Sequence, residues 1–172
     1  MGRNVEIKAR VEDPESLRAR VEGIAGSGPE MIEQVDTFFS CGHGRLKLRE
    51  VPGEDGQLIF YVRPDSPEPA ESHYSLVAVS DSCGLLDVLS QAMGVEIVVR
   101  KVRSLYHIGQ TRVHLDEVED LGVFVELEVV LSSDDSPAEG TRIARGLMEQ
   151  LGIRQTDLVE VAYADLLQGD AG

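Results

Sequence analysis

Five short stretches of this chain carry a charged or titratable residue at every second position. Glu6, Lys8 and Arg10 alternate with Val5, Ile7, Ala9 and Val11, and Arg45, Lys47 and Arg49 alternate with Leu46 and Leu48. Lys101 and Arg103 flank Val102; Arg112, His114 and Asp116 alternate with Val113 and Leu115; Glu126 and Glu128 alternate with Val125, Leu127 and Val129. Successive side chains on a β-strand point to opposite faces, so each stretch sorts charge to one face and apolar groups to the other. The signs are sorted as well: 45–49 carries only cations and 126/128 only carboxylates. Like charges at positions i and i+2 repel, so each run needs a partner of opposite sign. A polyphosphate would satisfy the cations and a divalent metal the carboxylates; a metal–triphosphate supplies both. Arg forks and Lys ammoniums are the usual phosphate partners, and Mg²⁺ is held by a few carboxylates plus substrate phosphates. A half-buried antiparallel sheet with one wet face would produce the same alternation in any single strand. Its recurrence in five strands points instead to a shared charged interior.

Other catalytic signatures are missing. The chain has no P-loop, no G-x-G-x-x-G and no G-x-S-x-G. His43, His73 and His107 read as surface or core residues. His114 stands apart, because it lies between Arg112 and Asp116 on the charged face.

The elements that must position these residues can be read around them. Strands are expected near 4–11, 31–40, 45–51, 57–63, 73–79, 97–107, 111–118 and 123–131, several joined by Gly-bearing turns such as 41–44 and 52–56. Short turns favour antiparallel pairing, and so many strands with few spacer helices predict an α+β fold built on an antiparallel barrel of about eight strands, or a strongly curved sheet, with peripheral helices. Four helices are expected: 14–24 behind Asp13 and Pro14, 82–93 between Asp81 and Gly94, 137–151 between Ser136 and Gly152, and 158–167. Glu139 is placed for a capping box with Ser136. The apolar exterior of such a barrel needs covering, by these helices or by a second copy, which leaves a homodimer open.

At 172 residues and 42% hydrophobic content, the whole of 1–172 is expected to form a single domain. No stretch approaches the roughly 20 apolar residues of a membrane span. The formal charge of −15 argues against nucleic-acid and anionic-membrane partners. Its distribution is more telling, because ten of the 16 Lys and Arg residues, including every lysine, fall in the strand-like segments. Cys41 and Cys83 have no metal-ligand spacing and read as reduced thiols of a cytoplasmic protein.

The series Asn4-Val5-Glu6-Ile7-Lys8, Asp36-Thr37-Phe38-Phe39, Gly44 to Glu50, Phe60 to Asp65, His114 to Val118, Leu121 to Glu128 and Ala162 to Leu167 resembles, in order and over nearly the whole chain, the CYTH superfamily of triphosphate tunnel proteins, and within it the class IV adenylyl cyclase branch. The resemblance implies an eight-stranded antiparallel tunnel acting on a nucleoside or inorganic triphosphate with Mg²⁺ or Mn²⁺. It makes Glu6, Asp116, Glu126 and Glu128 metal ligands. Lys8, Arg45, Lys47, Arg49, Arg63, Lys101, Arg103 and Arg112 become triphosphate ligands, with Lys8 and Glu6 in catalytic roles. The activity it implies first is an adenylyl cyclase, releasing cyclic AMP and pyrophosphate from ATP. A triphosphatase using the same site, and a triphosphate-binding module without turnover, stay open beside it. The chain departs from the pattern at Asn4, where the signature has its first glutamate, and at Ala70, His73, Val102 and Gln110, where basic residues are common in the branch. An amide oxygen can ligate a metal but brings no charge.

Overall fold

The computed structural model describes residues 2–62 and 69–169. Among them eight strands and four α-helices follow in the order β1 Gly2–Arg10, α1 Pro14–Ile24, β2 Glu30–Phe39, β3 Arg45–Glu50, β4 Gly56–Val62, β5 Ala70–Val79, α2 Ser82–Met93, β6 Val95–Ile108, β7 Thr111–Val118, β8 Gly122–Leu131, α3 Pro137–Leu151 and α4 Tyr163–Gly169. The strands close into a barrel in the order β1-β5-β4-β3-β2-β6-β7-β8. Every neighbouring pair is antiparallel. Closure removes the free edges that an open sheet would present.

The alternation read in the sequence becomes the inside and outside of this barrel. Ile7, Ala9, Val113, Leu115, Val125 and Leu127 point outward into a core closed by Leu17 and Val21 of α1 and by Leu147, Met148 and Leu151 of α3. Asp13 caps α1 by accepting from the Ser16 amide at 3.0 Å, and Ser136 caps α3 by accepting from the Glu139 amide at 3.2 Å. The Glu139 carboxylate turns to Arg142 at 2.6 Å. Helix α3 lies close to the barrel because Gly140 has no side chain: a Cβ there would stand 2.8 Å from Val5 Cγ2 and 2.9 Å from Leu131 Cδ2. Gly152 then ends the helix in the left-handed conformation at φ 68°.

Two of the expected helices behave differently. Helix α2 forms where expected but buries no residue of its own. The last helix begins at Tyr163 rather than at 158, because Leu158 bridges to Ala9 of β1 and the Val159 amide donates to the Lys8 carbonyl at 2.8 Å. That extended stretch carries α4 to one end of the barrel. There Tyr163 and Ala164 pack on Phe38, Val99 and Phe124. Helix α4 therefore plugs the barrel instead of lying on its side.

Candidate functional site

The barrel encloses a cavity of about 370 Å³. Strand parity aims Asn4, Glu6 and Lys8 of β1, Lys47 and Arg49 of β3, and Glu126 and Glu128 of β8 into it. Arg45, Lys101, Arg103, Arg112 and His114 line it too. Arg63 lies outside the described residues.

The charges are arranged as two walls. Strand β3 stands four strands from β8 in either direction around the ring, so Lys47 and Arg49 face Glu126 and Glu128 across the lumen. On the basic wall, Asp36 of β2 is paired in register with Arg49. Its carboxylate accepts from Lys47 Nζ at 2.7 Å, from Arg49 Nε at 2.9 Å and Nη2 at 3.2 Å, and from Gln34 Nε2 at 3.0 Å. Burial pushes the Asp36 carboxyl up, but the charges of Arg49 and Lys47 outweigh it and hold it far below the usual range. Burial in turn pulls the Lys47 ammonium down to about 8.

The same device recurs on β6 and β7. Arg103 pairs in register with Asp116. Asp116 accepts from Lys101 Nζ at 2.8 Å, from Arg103 Nε and Nη2 at 2.7 Å each, and from the Tyr163 hydroxyl at 3.1 Å. Burial opposes its ionisation, and Lys101 and Arg103 reverse that effect, leaving its carboxyl well below the usual range. Both aspartates hold two cations; the Lys47–Arg49 pair keeps one positive charge in excess for an anion, whereas Arg103 also meets Glu126.

The role expected for Asp116 as a metal ligand does not fit its place. It is fully buried, its Oδ2 already takes three donors, and it is absent from the cavity wall. It positions Lys101, Arg103 and the Tyr163 plug instead.

On the acidic wall, Glu126 Oε2 accepts from Arg103 Nη2 at 2.8 Å, and Glu128 Oε2 pairs with Arg112 Nη2 at 2.8 Å. Burial raises both carboxyls. Lys101, His114, Lys8 and Arg103 overcome it at Glu126, and His114, Arg112 and Arg103 at Glu128, so both are held ionised. Lys8 Nζ lies 3.6 Å from Glu126 Oε1, donates to the Val161 carbonyl at 3.0 Å and sits 3.9 Å from the Tyr163 ring centre. Glu6 stands directly opposite Glu128 across the β1–β8 pair. Arg45 is drawn to the plugged end, where it meets Asp165 of α4 at 2.7 Å.

Among the described residues, His114, Glu126 and Glu128 each bring a donor atom within 4.8 Å of the others. Asn4 Oδ1 and His114 Nδ1 are buried on this side without a hydrogen-bond partner. An orphaned buried polar atom costs about 1–3 kcal/mol. Carboxylate oxygens together with unpartnered acceptors are a donor set that a divalent cation would satisfy, so an Mg²⁺- or Mn²⁺-type ion fits these residues. The alternation rule did not find Asp36 or Tyr163. Asp36 belongs to no alternating run of charge, and its partners become evident only from the β2–β3 register. Tyr163 reaches the site only through the extended stretch before α4.

The profile of the CYTH domain matches residues 2–163. A Methanocaldococcus jannaschii protein named "Putative adenylate cyclase" is 22% identical, covering 94% of this chain and 97% of its own. The solved structure of the PH1012 protein from Pyrococcus horikoshii superposes with a TM-score of 0.85 at 25% identity, covering 95% of this chain and 98% of that one. A Hippeastrum protein, described as a "putative adenylyl cyclase" with a dominant triphosphatase activity, shares the fold at a TM-score of 0.68 and 13% identity, covering 99% of this chain and 96% of that one.

Proposed function

Since the chain belongs to the CYTH domain family, we propose that it is a metal-dependent enzyme acting on a nucleoside triphosphate inside this tunnel, as an adenylyl cyclase converting ATP to cyclic AMP and pyrophosphate. The observation that carries the reading is the opposition of walls: Lys47 and Arg49 on β3 face Glu126 and Glu128 on β8 across one lumen. The excess charge at the Lys47–Arg49 pair receives phosphate oxygens, with Arg45 and Arg112 extending the cationic track. A divalent cation held by Glu126 and Glu128, with Glu6 beside them, would supply electrostatic stabilisation of phosphoryl oxygens. Lys8, at the junction of Glu126 and the plug, orients the attacking hydroxyl. The arrangement contributes chiefly by positioning and preorganised charge.

The name of the M. jannaschii protein, which matches along 94% of the chain, favours the cyclase over the hydrolase. The Hippeastrum protein supports the second reading, in which water attacks the terminal phosphorus at the same walls. Incubation of the purified protein with ATP and with tripolyphosphate, under Mg²⁺ and under Mn²⁺, tests both. Cyclic AMP with pyrophosphate is the expected outcome. Orthophosphate without cyclic AMP replaces the cyclase by a triphosphatase, and tight binding with no product over hours overturns enzymatic activity. Full metal-dependent turnover in Glu126→Gln would remove the site itself.

A further inference from the structure

His114 lies on the charged face and is 3% exposed. The β7–β8 register puts it directly opposite Glu126, with Arg112 opposite Glu128. Its Nδ1 stands 3.5 Å from Glu126 Oε2 and its Nε2 3.9 Å from Glu128 Oε2. Nδ1 has no hydrogen-bond partner. Buried polar atoms are almost always satisfied, so an unpartnered imidazole nitrogen between two carboxylates requires an explanation. Arg103 and Arg112 meet the Oε2 atoms of the two glutamates at 2.8 Å, and Lys8 Nζ stands 3.6 Å from Glu126 Oε1.

We propose that His114 supplies a nitrogen ligand to the divalent cation of the tunnel, and that this weights the site toward nitrogen-accepting transition ions such as Mn²⁺ or Co²⁺ over Mg²⁺. Mg²⁺ prefers an all-oxygen shell and keeps its waters, whereas imidazole suits the first-row transition ions. The inference rests on the metal-site reading above and adds the identity of one ligand and the class of ion it selects.

Electron spin-echo spectroscopy of Mn²⁺ bound to the wild-type protein tests it without any turnover. The expected result is ¹⁴N modulation from a directly bound imidazole. That modulation disappears in His114→Gln, in which Mn²⁺ affinity by calorimetry drops about tenfold or more while Mg²⁺ affinity falls by less than about threefold. Mn²⁺ that binds in a Glu126-dependent manner without imidazole modulation overturns the role of His114 and leaves the metal site standing. Mn²⁺ that does not bind, or whose binding ignores Glu126→Gln, overturns both.

Discussion

The tunnel uses one motif twice and to different ends. Lys47-Leu48-Arg49 on β3 and Lys101-Val102-Arg103 on β6 are each tied to a single aspartate on a neighbouring strand, with the arginine and aspartate in register. Around Asp36 the cations keep a face on the lumen, with Lys47 and Arg49 side chains 12% and 20% exposed. Around Asp116 they touch the lumen much less: Lys101 is 3% exposed and Arg103 6%, and the cluster also engages Glu126 and Tyr163. The first cluster has cations free to meet a ligand. The second is a strut that joins the acidic wall, the basic track and the plug. Identical sequence spacing thus yields a receiver or a scaffold according to what the adjacent strands bring.

The largest expected effect separates the two aspartates. Asp116→Asn leaves Lys101 and Arg103 buried without their counter-charge and is expected to destabilise by about 3–5 kcal/mol. Asp36→Asn, whose cations reach lumen water, is expected to cost less, about 1–3 kcal/mol. Urea unfolding measures both, and equal losses would break the distinction.

Binding should reverse that order. Arg49→Ala is expected to weaken tripolyphosphate binding by about 2–4 kcal/mol, the scale for losing a charge-assisted contact in a desolvated site. Calorimetry reads this directly. An affinity unchanged in Arg49→Ala but lost in a folded Lys101→Met variant would exchange the two roles.

A pH dependence follows from Lys47. Its free-protein pKa of about 8 lies below the ordinary value of 10.5, so its charge is lost as pH rises past about 8. Tripolyphosphate affinity should decline over that interval, and Lys47→Arg, which keeps its charge, should flatten the decline. A flat wild-type profile from pH 7 to pH 9.5 would count against Lys47 as a receiver.

The smallest effect concerns the plug. Tyr163→Phe removes the donor to Asp116 and is expected to cost about 1 kcal/mol in thermal or denaturant stability. It leaves the ring under Lys8 and Lys101 in place.

The barrel was legible because its strands write inside and outside into alternate positions. Glu6, Lys8, Lys47, Arg49, Glu126 and Glu128 all reach the lumen as parity requires. What parity cannot express is which strand lies beside which. Asp116 sits on the charged face of β7, but only the β6–β7 register shows that Arg103 and Lys101 consume it. Asp36 has the same dependence on the β2–β3 register. The β4 and β5 walls offer Gln57, Tyr61, Ser72 and Tyr74 to the cavity, neutral side chains that leave no charge pattern to read. The start of α4 shifted because backbone groups of 158 and 159 found partners on β1, a long-range pairing that no local cap signal announces.

Anomalous diffraction from crystals grown with Mn²⁺ and a non-hydrolysable triphosphate tests the central claim most directly. The account predicts a manganese peak inside the barrel within bonding distance of Glu126 and Glu128, with phosphate density running from it toward Lys47 and Arg49. Manganese and phosphate found only on the outer surface, or phosphate bound away from the Lys47–Arg49 cluster, would contradict it.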